Sequence, residues 1–162
     1  SLSKYHEEHP FSISLNGQHF SISYTPGEST NDMFGGNSNW RGPVWLPLNY
    51  MIITSLQKFY KYYGEELKIE FPTHSGNYLN LHEIATELSK RLTKLFTLNE
   101  KGERPLFGNT ELFQNNPLFR DNLMFFEYFH GDTGKGLGAT QQTGWTGLIA
   151  PLILHNMGNK KP

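Results

Sequence analysis

A chain of 162 residues is long enough to bury a single core, and its 14 basic and 15 acidic side chains leave a net charge of −1. Neither sign gathers into a long block, so nucleic acid and anionic membrane are not the expected partners. The absence of cysteine excludes disulfides, thiolate catalysis and Cys-based zinc sites, and no apolar run approaches the roughly 18 residues of a membrane span.

The opening "SLSKYHEEHP" has no basic region leading into an apolar stretch, so no signal peptide is read there. With no Asn-x-Ser/Thr sequon and no cysteine, a cytoplasmic location is the favoured expectation. The chain starts mid-pattern and without Met, as a piece of a longer protein does. Phe11 to Leu15 and Gln18 to Tyr24 alternate apolar and polar residues around Asn16-Gly17, which predicts a tight hairpin with strands near 11–15 and 18–24. "TPGESTNDMFGGNSN", residues 25–39, reads as a long loop.

Apolar residues at Leu48, Met51, Ile52, Leu56, Phe59, Tyr60 and Tyr63 predict a helix over 46–63 that Gly64 can end. Asn80 and Glu83 form a capping-box pattern, and Ile84, Leu88, Leu92 and Leu95 extend a second helix to about residue 98. The intervening "EELKIEFPTHSGNYLN" is short-strand and loop material, and "NEKGERPLFGNTELFQNNP" is polar and punctuated. Residues 118–129 fit either a short helix followed by a strand or one buried segment. A Gly-rich loop, 131–138, leads to a last helix over 143–156 with Pro151 expected to kink it. Helices outnumber strands, and the strands look peripheral.

Several chemistries fail on motif. "GDTGKGLG" is not a phosphate loop, because Lys135 is followed by Gly136 instead of Ser or Thr. No His-Glu-x-x-His pair or Gly-x-Ser-x-Gly elbow is present, so no metal site and no serine hydrolase is assigned. Two features remain. "NWRGPVW" places Trp40, Arg41, Gly42 and Trp45 together, which reads either as core tryptophans with a covering cation or as a surface of aromatic faces and planar donors suited to sugar rings. Glu127, in "LMFFEYFHGD", is either an acid inside an aromatic run or an outward-pointing strand residue.

Taken together, "GGNSNWRGPVWLPLNY" and "FFEYFHGDTGKGLGATQQTGWTGL" resemble the C-terminal part of the catalytic domain of family 63 glycoside hydrolases, the relatives of processing α-glucosidase I. The resemblance runs over nearly the whole chain. It implies a mainly α fold, part of an (α/α)6 barrel of twelve helices, the six-hairpin glycosidase toroid, with the β-hairpin as a small peripheral addition. It implies that residues 1–162 are the C-terminal portion of one such domain, incomplete without an upstream half.

By the same resemblance, Glu127 is the general base that activates water in an inverting α-glucosidase-type hydrolysis. Asn39, Trp40, Arg41, Gly42, Trp45, His130, Gln142 and Trp145 are the substrate-binding set, a carbohydrate is the substrate, and no cofactor is required. Inversion also needs an acid roughly 6.5–9.5 Å from the base. In the family that acid is an Asp well upstream of the Trp-Arg-Gly-Pro block, and neither Glu28 nor Asp32 stands in a matching segment, so the acid is expected outside this chain. The alternatives are a non-catalytic carbohydrate-binding fragment that keeps only the sugar subsite, and a helical domain whose aromatic loops dock a protein.

Overall fold

Asn16 and Gly17 both take positive φ, 51° and 78°, the turn that matches strand twist in a two-residue hairpin. In the computed structural model, which describes residues 3–30 and 40–158 (156 being the last side chain), that turn joins β1 (Phe11–Leu15) to β2 (Gln18–Ile22). Pairing Phe11 with Ile22 and Ile13 with Phe20 gathers the apolar side chains on one face, which nothing covers among the described residues. A one-turn helix, α1 (Tyr5–Glu8), precedes the hairpin.

Pro47 in the first turn and Gly64 at the C-cap bound α2 (Leu46–Tyr63), the span the periodicity predicts. Its packing differs from the predicted stripe. Leu46 and Ile53 are buried, with Tyr50 and Leu56 packed beside them, while Leu48, Met51, Ile52, Phe59 and Tyr63 are exposed. The helix is apolar on two faces, and the pattern alone does not say which one meets the core.

After a second small hairpin, β3 (Lys68–Glu70) with β4 (Tyr78–Asn80), the chain enters α3 (Leu81–Lys94). The capping box is complete. Asn80 Oδ1 accepts from Glu83 N–H at 2.9 Å, and Glu83 Oε2 accepts from Asn80 N–H at 2.8 Å. Ile84, Ala85 and Leu92 pack inward, and the helix stops at Lys94, short of the predicted residue 98. The polar segment that follows carries a 3-10 turn (Pro105–Phe107) and two short helices, α4 (Glu111–Asn115) and α5 (Pro117–Arg120). Gln114 organises it. Its side chain accepts from Arg104 N–H at 3.0 Å and donates to the carbonyls of Arg104 and Gly108, both at 2.9 Å.

Residues 118–129 resolve as a short helix followed by a strand, β5 (Tyr128–Phe129), paired antiparallel with β6 (Gly136–Leu137). This hairpin corrects the expectation that strands are peripheral. Tyr128 and Phe129 are fully buried, and Phe129 belongs to the core with Leu46, Ile53, Phe96, Leu106 and Leu152. A second correction concerns the last helix, which is two: α6 (Thr143–Thr146) and α7 (Ile149–Gly158). Gly147 and Leu148 separate them, and Pro151 falls in the first turn of α7, where its missing N–H has no intrahelical acceptor to lose. α2 packs along α3, and α3 against α7. Among the described residues the chain is mainly helical with small antiparallel hairpins.

Candidate functional site

The two sequence blocks meet along residues 125–131. Val44 and Phe129 exchange both backbone hydrogen bonds, at 2.8 and 2.9 Å, which lays the Trp-Arg-Gly-Pro segment against one edge of β5. On the other side Glu127 N–H donates to Ala139 O at 2.8 Å and Gln142 N–H to Phe125 O at 2.7 Å. The Thr146 hydroxyl caps the same strip by donating to Phe126 O.

Glycines permit this crowding. A Cβ on Gly42 would stand 2.8 Å from both Thr25 O and the Tyr24 ring, and one on Gly131 would stand 2.5 Å from Gly42 O. Gly138, at φ 68°, has the Glu127 Oε2 where its own Cβ would be, at 2.5 Å, with the Tyr128 ring at 2.9 Å. The carboxylate of Glu127 is therefore half-buried in a notch that only glycine leaves open, and Ala139 N–H donates to its Oε2 at 3.2 Å.

An aromatic column rises from that notch. Tyr128 stacks on Trp45 at 4.6 Å between ring centroids, Trp45 stacks on Trp40 at 4.0 Å, and Trp145 meets Trp45 edge-on at 6.2 Å. Trp45 is 2 % exposed and is the inner member, whereas Trp40 and Trp145, 42 % and 36 % exposed, are the rings open to solvent. Within one column Trp45 is a core ring, and Trp40 and Trp145 are surface rings.

Arg41 is buried, 7 % exposed, and Nη2 donates to Ser29 Oγ at 3.0 Å while its carbonyl accepts from Thr25 N–H at 3.3 Å. It reaches back across the preceding loop. His130 accepts from the amides of Asp132 and Thr133 through Nδ1, at 3.2 and 3.3 Å, and so closes the turn after β5. Gln142 is exposed, and its carbonyl accepts from Trp145 and Thr146 at the start of α6. Of the predicted set, Asn39 lies outside the described residues, as does Asp32.

Electrostatics concentrate at two tyrosines. Burial pushes Tyr128 up to about 12, and the charges of Glu28 and Glu127 add to the effect. Tyr24 is also pushed up to about 12, by burial first and then by the hydrogen bond that its hydroxyl donates to Asp132 Oδ1 at 2.9 Å. That bond first, and then the Lys4 ammonium 3.3 Å from Oδ2, hold Asp132 below the usual carboxylate range against the opposing effect of desolvation.

Tyr128, Gly138, Ala139 and the segment 25–29 are the parts of the site that sequence reasoning missed. Gly138, eleven residues after Glu127 in the second block, was the usable signal, because glycine is the residue that permits a close approach.

The sequence profile of the mannosylglycerate hydrolase MGH1-like glycoside hydrolase domain matches residues 12–146. Among curated proteins, the uncharacterized protein YMR196W of Saccharomyces cerevisiae is 54 % identical over 155 residues, 94 % of this chain and 14 % of that protein. A probable mannosyl-oligosaccharide glucosidase of Schizosaccharomyces pombe is 26 % identical over 79 % of this chain and 12 % of its own length. The mannosyl-oligosaccharide glucosidase of Saccharomyces cerevisiae is 25 % identical over 76 % and 12 %. The chain thus spans 12–14 % of the length of these relatives. No solved structure matches.

Proposed function

We propose, from the premise that this chain belongs to the mannosylglycerate hydrolase MGH1-like glycoside hydrolase family, that it supplies the catalytic-base side of an inverting, α-glucosidase-type active site. The observation that carries the reading is the placement of Glu127. Its carboxylate occupies the Gly138 notch at the foot of an aromatic column whose outer rings, Trp40 and Trp145, face solvent. Sugar rings bind aromatic faces through their C–H surfaces, and in this reading the solvent-facing rings of the column receive the sugar while Glu127 stands at its inner end, beside Tyr128. The Ala139 N–H orients one oxygen, as a base that must hold a water molecule in line needs.

In this reading Glu127 takes a proton from the attacking water, the water oxygen bonds to the anomeric carbon, and the glycosidic bond breaks on the opposite face. The leaving oxygen takes its proton from an acid in the part of the protein outside this chain, at roughly 6.5–9.5 Å from the base. Trp45 and Tyr128 keep the outer rings in place, and Arg41, His130 and Gln142 hold the loops around them. The exposed apolar face of α2, with Leu48, Met51, Ile52 and Phe59, supports the companion proposal that the chain closes an (α/α)6 barrel whose other helices cover this face.

The test is hydrolysis of α-glucosides, glucosylglycerate and mannosylglycerate by the full-length parent, with product anomer read by NMR. Inversion, together with loss of at least about 1,000-fold in kcat for Glu127→Gln and retained glucose binding, is the expected result. Wild-type turnover by Glu127→Gln would sink the assignment. Quenching of Trp fluorescence by glucose with no turnover from the parent would leave a carbohydrate-binding role in its place.

A further inference from the structure

The segment 25–29 is laid across the site and fastened almost residue by residue. Thr25 N–H donates to Arg41 O at 3.3 Å, Pro26 O accepts from Gly131 N–H at 2.9 Å, and Ser29 Oγ accepts from the buried Arg41 guanidinium at 3.0 Å. Gly27 lies flat on His130, where a Cβ would come within 3.3 Å of the imidazole. This strap bridges both blocks of the site. Glu28, between two fastened residues, is the member whose side chain is exposed.

Glu28 is also electrostatically close to the site. Its charge and that of Glu127 both act on the Tyr128 hydroxyl, beneath the Trp45 and Trp40 rings. Residue 28 stands between Gly27, which lies on His130, and Ser29, which accepts from Arg41, so the strap carries Glu28 across both blocks of the site.

We propose that Glu28 is a substrate-binding carboxylate, accepting hydrogen bonds from vicinal hydroxyls of the sugar ring seated against Trp40 and Trp145, with Arg41 as the positioning residue that holds the strap. This rests on the reading of the Glu127 site as a sugar site. An ionised carboxylate is an acceptor with two oxygens, so it matches a pair of O–H donors on adjacent carbons, and such charge-assisted bonds are the strong ones. Glu28 is exposed on the strap, whereas Glu127 is half-buried in the Gly138 notch, so the two carboxylates are given separate roles. The fastened backbone means that little freedom is lost when a ligand arrives.

The experiment is a split of kcat from KM in the full-length parent, paired with the glucose Kd from Trp fluorescence, for Glu28→Gln, Glu28→Asp and Glu127→Gln. For Glu28→Gln we expect KM and the glucose Kd to rise about tenfold or more, with kcat within about threefold, an unchanged pH profile and an unchanged Tm. Glu28→Asp should recover part of the affinity. An unchanged KM and Kd in Glu28→Gln, while Glu127→Gln still loses kcat, overturns this proposal and leaves the Glu127 reading standing. Collapse of kcat with loss of the alkaline limb of the pH profile also overturns it, since Glu28 is then an acid. A wild-type parent that binds glucose without turnover, with the Kd still set by Glu28, separates the two the other way. A parent that neither binds nor hydrolyses any sugar overturns both.

Discussion

The β5–β6 hairpin and the β1–β2 hairpin are built from similar letters and end in opposite environments. Each carries aromatic or aliphatic residues beside a turn that contains glycine, yet Tyr128 and Phe129 are fully buried whereas Phe11, Ile13 and Leu15 are exposed. The difference lies in what crosses them. β5 is gripped on both edges, by Val44 and by β6; glycines at 42 and 131 let neighbouring backbone come close, and those at 136 and 138 leave room for the Phe126 ring and the Glu127 carboxylate. Gly17 of the first hairpin has nothing within 4 Å of its Cβ position, and the turn needs it only for its φ. An apolar strand becomes core where the chain around it has given up its side chains.

The same contrast recurs inside α2, where it is sharpest between adjacent residues. Ile53 is 1 % exposed and Ile52 is 52 % exposed. Ile53→Ala should cost about 2–5 kcal/mol by urea denaturation of this chain, the range for a buried isoleucine that leaves a cavity. Ile52→Ala should stay within about 0.5 kcal/mol in the same assay. Equal effects would break the distinction between the two faces. If the companion barrel proposal holds, Ile52→Ala in the full-length parent should become costly, while the exposed face of the isolated chain should make it self-associate in sedimentation velocity.

Glycine substitutions sharpen the comparison at the site. Gly42→Ala forces its methyl against the Thr25 carbonyl and the Tyr24 ring, and should destabilise by about 1–3 kcal/mol while loosening the strap. Gly144→Ala, with nothing within 4 Å and inside a helix, should be neutral or slightly stabilising. Denaturation midpoints for the pair check both; a neutral Gly42→Ala would mean that the crossing of the two blocks is not tight.

These residues also show what the sequence could and could not convey. The span of α2 and the capping box of α3 were legible because local chemistry sets them: Pro47, Gly64, Asn80 and Glu83 act within a few residues of themselves. The break between α6 and α7 was not, since Pro151 signals a fault within a helix and also suits the first turn of a new one. The lengths of α1, α4 and α5 are too short for any periodicity to register. At the site, Glu127 and the tryptophans were legible as residue types within two blocks. The burial of Arg41 and the fastening of residues 25–29 depend on contacts across the chain, between Arg41 and Ser29 and between Gly131 and Pro26, and loop letters do not encode these.

The smallest expected effect concerns pH and distinguishes two tyrosines that both titrate near 12. A folded value raised above 10.0 means that the unfolded chain loses its proton first, so stability present below pH 10 falls as pH rises toward 12. Tyr128→Phe keeps the ring stacked on Trp45 and removes the ionisable hydroxyl, so the alkaline fall in Tm should become shallower than in wild type. Tyr24→Phe removes an alkaline liability too, but it also deletes the bond to Asp132, whose lowered value stabilises the fold at neutral pH and is lost as pH falls through it. The two variants should therefore part company at neutral pH: Tyr24→Phe loses Tm there, and Tyr128→Phe gives up only what its own hydroxyl contributes. A Tyr128→Phe profile that follows wild type from pH 10 to 12 would show that the buried ring beside the two carboxylates does not set the alkaline limb.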